Sequence, residues 1–126
     1  REGAKGHDTM MVELAGGIDK IAAETVSKAA RLGDSLACSI LDEVAFHLGI
    51  GLANIISAFD PDMVILGGGV MNSGDLLLPG AIRVVKGHLT ARGAQVPPIE
   101  ASSIHDDVAL WGAIALARAV AGSKPC

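Results

Sequence analysis

A chain of 126 residues is one domain, or a piece of a larger one. Half of it is apolar but only 2% is aromatic, so alanine, glycine and the branched aliphatics must build the core through close helix–helix and helix–sheet contact. A net charge of −4, with Lys and Arg scattered rather than clustered, excludes a nucleic-acid surface.

In chain order, Arg1 to His7 has charge and glycine but no apolar period, which implies a helix end or a loop. No secretory h-region opens the chain, and its start at Arg1-Glu2-Gly3 implies further sequence upstream. Thr9 to Leu14 allows one or two helical turns before a break at Gly16-Gly17. Helix propensity rises from Ala22 to Arg31. Gly33 is placed to end that helix as its left-handed residue, and Asp34 to cap the next by accepting from free backbone N–H groups.

The next helix, Ser35 to about Phe59, is the longest. Leu36, Ile40, Val44, Leu48, Leu52, Ile55, Ile56 and Phe59 repeat at three- and four-residue steps. Leu41, Ala45 and Ala53 add a second stripe, which predicts burial over more than half the circumference. Gly49 and Gly51 each cost roughly 1 kcal/mol against alanine, so both predict a close backbone contact. Asp60-Pro61 ends the helix, because a residue before proline is pushed out of the α region. The longest charge-free apolar run, Leu48 to Phe59, falls short of the roughly 18 residues of a transmembrane helix, so no membrane partner is expected. Cys38 and Cys126 make no disulfide framework, and a reducing, cytoplasmic setting fits them.

Met63 to Leu66 reads as a strand covered on both faces, running into Gly67-Gly68-Gly69-Val70. Ligands of α/β sheets bind outside the carboxyl ends of strands, and glycine lets a ligand lie against the backbone. The loop therefore reads either as the receiver of a flat or phosphorylated ligand or as a tight turn with none. Asn72-Ser73-Gly74-Asp75 reads as a polar turn, followed by a helix from about Pro79 to Leu89 that Arg92-Gly93-Ala94 closes. Pro97-Pro98 leads into a second strand, Ile99 to Ser102. Ser103 to Asp107 is a polar loop whose Asp106 or Asp107 can cap a last, alanine-rich helix from Val108 to Val120. The order is α-α-β-α-β-α, with a two-stranded parallel sheet joined by a right-handed crossover. Two strands are too few for a free-standing α/β domain, so further strands are expected from upstream sequence or another chain.

Common catalytic signatures are missing. The sequence has no P-loop, no Cys-x-x-Cys and no G-x-S-x-G, and Asn72 stands where a dinucleotide fingerprint needs its third glycine. His7, His47, His88 and His105 lack zinc-ligand spacing. His105-Asp106-Asp107 is the one tight titratable cluster, and helix capping accounts for its acids.

The ordered set Ala29-Ala30-Arg31-Leu32-Gly33-Asp34, Leu48 to Ile56, Asp60 to Val70 and Trp111 to Ala117 resembles the C-terminal part of the ROK family of bacterial glucokinases, other sugar kinases and sugar-responsive repressors. Gly74 to Leu78 and His88 to Gly93 are most similar to its glucokinase branch. The resemblance implies an actin-like, ribonuclease-H-like fold of the sugar-kinase type. It also implies an adenosine-binding role for Gly67, Gly68, Gly69 and Val70, with ATP and Mg used by the parent enzyme. The family's phosphate loop, catalytic aspartate, sugar-binding residues and zinc motif have no counterpart here. No catalytic or metal-binding residue is therefore assigned, and sugar would bind through an N-terminal part. A segment of a ROK repressor is the alternative, and a ligand-free assembly module is a third reading. Unpaired sheet edges and the family's habit of forming dimers or tetramers imply a homo-oligomer. His105 departs from the glycine that the family often has before its last helix.

Overall fold

Helix boundaries at the N-terminal end are set by one glycine and one aspartate. The computed structural model describes residues 9–104 and 107–122. After α1 (Met10–Ala15) and a 3₁₀ turn at Ile18–Lys20 comes α2 (Ala23–Arg31). The N–H of Gly33 donates to Ala30 O, and that of Asp34 to Ala29 O, both at 3.0 Å. These paired bonds close the helix in a Schellman motif, which requires a left-handed residue at Gly33, observed at φ 88°. Asp34 then caps α3 (Ser35–Phe59), its Oδ1 accepting from the Ala37 N–H at 2.9 Å. Both sequence expectations hold.

The rest of the chain is β1 (Val64–Leu66), a 3₁₀ turn at Gly69–Ser73, α4 (Gly74–Thr90), β2 (Ile99–Ala101) and α5 (Val108–Gly122). The expected order is observed, with α1 added before it, and β1 and β2 pair in parallel. The chain divides into two units. One holds the residues up to Asp60 together with Leu76–Val96, and the other holds Pro61–Asp75 and the residues from Pro97 onward.

In the helical unit, Met11, Ala29 and Ala37 form a small core with Ile21, Val26, Ala30, Leu36 and Ile40 packed around it. Further along α3 the buried stripe is Ala45, Gly49, Leu52, Ala53 and Ile56, whereas Val44, Ile55 and Phe59 are exposed. The large-residue face expected to be buried is thus only partly covered, and the small-residue stripe dominates. Size explains the choice. A Cβ built on Gly49 would sit 2.6 Å from Val84 Cβ and 2.7 Å from Ala81 O, and one on Gly80 would lie 2.9 Å from Ala45 Cβ. Only small residues admit α4 at that distance, and its Leu77, Ala81, Val85 and Leu89 are buried at four-residue steps. Gly51 differs from the expectation, since an added Cβ there meets nothing within 4 Å.

The start of α4 differs from the expectation, while the end of α3 at Asp60-Pro61 agrees with it. α4 starts at Gly74, so the supposed polar turn is a 3₁₀ turn leading into helix, and Pro79 lies inside α4. Pro79 faces solvent, where its ring disturbs no packing and costs the helix a backbone bond. Asp60 leaves the right-handed region for φ 46°, ψ 55°, the left-handed conformation that aspartate tolerates better than most residues. α3 is also long and apolar enough to cross a membrane by length and composition alone. Its small-residue stripe packs beside Val84 and Ala81 of α4.

In the second unit, Met71 is the only buried hydrophobic side chain among the described residues. Ile65 of β1 is 63% exposed, so within this chain the strand is not covered on both faces as its apolar run predicted. Leu110, Trp111, Leu116 and Val120 of α5 are exposed as well.

Candidate functional site

The loop singled out by the sequence begins where the sheet ends. Val64 pairs with Ile99, Ile65 with Glu100 and Leu66 with Ala101. The Val64 N–H donates to Pro98 O at 2.9 Å, and the Ser102 N–H donates to Leu66 O at 2.7 Å. The last carbonyl of β1 is therefore taken up by β2, and the next residue, Gly67, is free of the ladder and exposed. Two loops, Gly67–Val70 and Ser102–Ile104, leave the sheet side by side at the carboxyl end of the parallel pair.

Gly68 carries the turn. Its φ of 96° with ψ 171° is a conformation that only glycine adopts without strain. Its carbonyl accepts from the Met71 N–H at 2.9 Å, closing the first turn of the 3₁₀ segment. A Cβ added at Gly68 would find no atom within 4 Å, so the space over the backbone is open. Val70 is 64% exposed, and Met71 behind it is buried. The four candidate residues thus form one continuous stretch, with Gly67, Gly69 and Val70 exposed and Gly68 half-buried, anchored at one end by the sheet and at the other by Met71. None of them titrates. The loop can accept and orient a ligand, but it cannot move a proton.

The adjacent turn, Ser102–Ile104, takes in Ser102, expected to end the second strand but lying just past β2, and the first two residues of the expected polar loop. The Ser102 Oγ accepts from the Ile104 N–H at 3.2 Å, and the Ile104 carbonyl accepts from the Asp107 N–H at 3.0 Å. The parallel register places this turn beside the glycines, information that no local motif carries. His105 and Asp106 lie outside the described residues, and with them the departure noted at His105 and the capping role offered to Asp106.

Among the described residues the one buried carboxylate is Asp34, in the helical unit. Its Oδ2 accepts from the Thr9 hydroxyl at 2.8 Å and the Met10 N–H at 2.6 Å. The Ala37 N–H on Oδ1 is the main cause holding the carboxyl below its usual value; burial opposes the shift, and Thr9, Met10 and Leu36 reinforce it. With both oxygens engaged at the starts of α1 and α3, Asp34 is a tie between helices and has no oxygen left for chemistry. His88 donates from Nδ1 to Val84 O at 3.1 Å, and His47 meets Phe46 edge-on at 5.5 Å between centroids. Neither joins a cluster, and among the described residues no three His, Cys, Asp or Glu side chains gather as a metal site would require.

A family model described as "ROK family" matches residues 9–120. A glucokinase of Thermotoga maritima is 31% identical over 94% of this chain and 38% of its own length. A xylose repressor of Caldicellulosiruptor bescii is 30% identical over 79% of this chain and 25% of its own. Among solved structures, a ROK family glucokinase from Streptomyces griseus, in complex with glucose and AMPPNP, superposes with a TM-score of 0.80 at 33% identity. That match covers 87% of this chain and 36% of the other. The chain therefore spans between a quarter and two fifths of the length of these relatives, and its fold is the actin-like α/β type of the ROK sugar kinases.

Proposed function

Because this chain belongs to the ROK family, we propose that its 126 residues are the C-terminal, nucleotide-side segment of an ATP-dependent sugar kinase of the glucokinase kind. In that reading Gly67, Gly68, Gly69 and Val70 receive the adenosine of ATP, the sugar binds to a part outside this chain, and the parent transfers a phosphoryl group to the 6-hydroxyl of glucose. The observation that carries it is the bare, left-handed Gly68 at the carboxyl end of β1, with open space where any other residue would place a Cβ. A flat base needs that clearance. Phosphoryl transfer rests on positioning and charge neutralisation around the nucleotide, with an acid accepting the hydroxyl proton. The loop supplies positioning only, so the base belongs to the part of the parent upstream of this chain, and no magnesium ligand is assigned within it.

The repressor alternative draws on the similarity to the xylose repressor. The uninterrupted Gly67-Gly68-Gly69 favours the kinase, since a sugar sensor has no need to admit adenine. In the kinase that carries this segment, Gly69→Val is expected to weaken ATP binding and leave glucose binding nearly unchanged, read by calorimetry on both ligands. Unchanged ATP affinity would make the loop a plain turn. The 126-residue chain alone is expected to show no glucose phosphorylation with Mg-ATP in a coupled assay, because the phosphate-positioning groups and the base must act together.

The proposed setting is cytoplasmic, and the proposed assembly is a homo-oligomer. Exposed Phe59, Ile65, Trp111 and Leu116, together with two open sheet edges, invite pairing with a second copy. Light scattering over a dilution series should show a dimer. A monomer at every concentration would contradict that assembly.

A further inference from the structure

We infer that the turn Ser102–Ile104 forms the second wall of the nucleotide crevice, with the Ser103 hydroxyl as a specificity contact to the adenosine. The inference rests on the proposed role of the glycine loop and extends it to residues outside that loop. In a parallel sheet the crevice that takes a ligand lies outside the carboxyl ends of neighbouring strands, between the loops that leave them. Here the two strands are β1 and β2, and their register ends at Leu66 opposite Ala101. The 2.7 Å bond from the Ser102 N–H to Leu66 O fixes the second loop to the residue from which the first departs. The second loop cannot shift without breaking the last rung of the sheet.

The two loops offer complementary chemistry. Val70 on the first and Ile104 on the second are both exposed, at 64% and 44%. Branched aliphatic side chains on adjacent loops suit the faces of a purine. Ser102 has its hydroxyl engaged by the Ile104 N–H, which shapes the turn. Ser103 is exposed, and its hydroxyl has no hydrogen-bond partner among the described residues. A hydroxyl donates and accepts, so it can read either a ring nitrogen or a ribose hydroxyl.

The test is adenosine binding to the kinase that carries this segment, followed by calorimetry, with Ser103→Ala and Ser103→Thr compared at equal folded fraction by circular dichroism. Loss of one neutral hydrogen bond is expected to weaken adenosine roughly threefold to tenfold in Ser103→Ala. Ser103→Thr, which keeps the hydroxyl, should restore most of that affinity. Inosine should respond differently from adenosine to the alanine variant if the contact is to the base, and alike if it is to the ribose. Equal adenosine affinity for Ser103→Ala and the unsubstituted kinase overturns this inference alone. No adenosine binding by the unsubstituted kinase overturns the glycine-loop reading and this inference with it.

Discussion

The two units of this chain solve the same composition in opposite ways. The helical unit buries small residues against one another, and among the described residues every buried hydrophobic side chain except Met71 belongs to it. The strand-and-glycine unit leaves Ile65, Val70, Leu110, Trp111 and Leu116 exposed, and it carries the candidate site. Order in the first comes from close contact, as at Gly49. Openness in the second comes from a glycine that has no neighbour, as at Gly68. The same residue type thus does contrary things, and the added-Cβ distances, 2.6 Å at one and nothing within 4 Å at the other, tell them apart.

The contrast breaks most sharply at Gly49. Gly49→Ala adds a methyl against Val84 Cβ and the Ala81 carbonyl, and a backbone oxygen yields little. Overpacking of this kind costs about 1–3 kcal/mol, more than the helix-propensity gain of roughly 1 kcal/mol from alanine. A lower thermal midpoint is expected, and an unchanged midpoint would mean that the two helices are not held together at this point.

Asp34 comes next. Asp34→Ala removes the cap of α3 and leaves the starts of α1 without their carboxylate. Loss of an N-cap costs about 0.5–2 kcal/mol, and the tie to Thr9 and Met10 goes with it. The same group sets a pH dependence. Its carboxyl is held below the ordinary value near about 3.9 by the Ala37 N–H and its other donors. Folding therefore binds fewer protons than the unfolded chain does. The stabilisation is present above the unfolded value and fades as pH falls through the folded one. Melting midpoints between pH 6 and 3 should drop in the parent and lose part of that drop in Asp34→Asn. Parallel curves for the two would remove Asp34 as a cause.

The smallest effect sharpens the comparison within a single helix. Gly51→Ala, two residues on from Gly49 and on the opposite, open face of α3, should stabilise by up to about 1 kcal/mol. A loss there would show that something covers that face.

What could be read in advance follows the range of the interaction. Gly33, Asp34 and the bounds of α3 were legible because caps are made by residues a few positions apart. The position of β1 and its glycine loop was legible for the same reason. The side of α3 that is buried was not. Apolar spacing cannot say whether Ala45 and Gly49 or Val44 and Ile55 meet a partner, because the answer depends on how closely α4 can approach. Pro79 misled in the same manner, since proline marks a helix start only where nothing before it can form helix, and Gly74–Leu78 can. The Ser102–Ile104 turn was not legible as part of a site because its place beside Gly67 depends on the register of a strand 33 positions further along, Leu66 to Ile99.

The most direct test of the central claim is an amide chemical-shift titration of the 126-residue chain with Mg-ATP. The account predicts that the largest changes fall on Gly67, Gly68, Gly69 and Val70, with the amides of Asp34 and Ala37 unmoved. Changes centred on the helical unit, or no change at the glycine loop at saturating nucleotide, would contradict it.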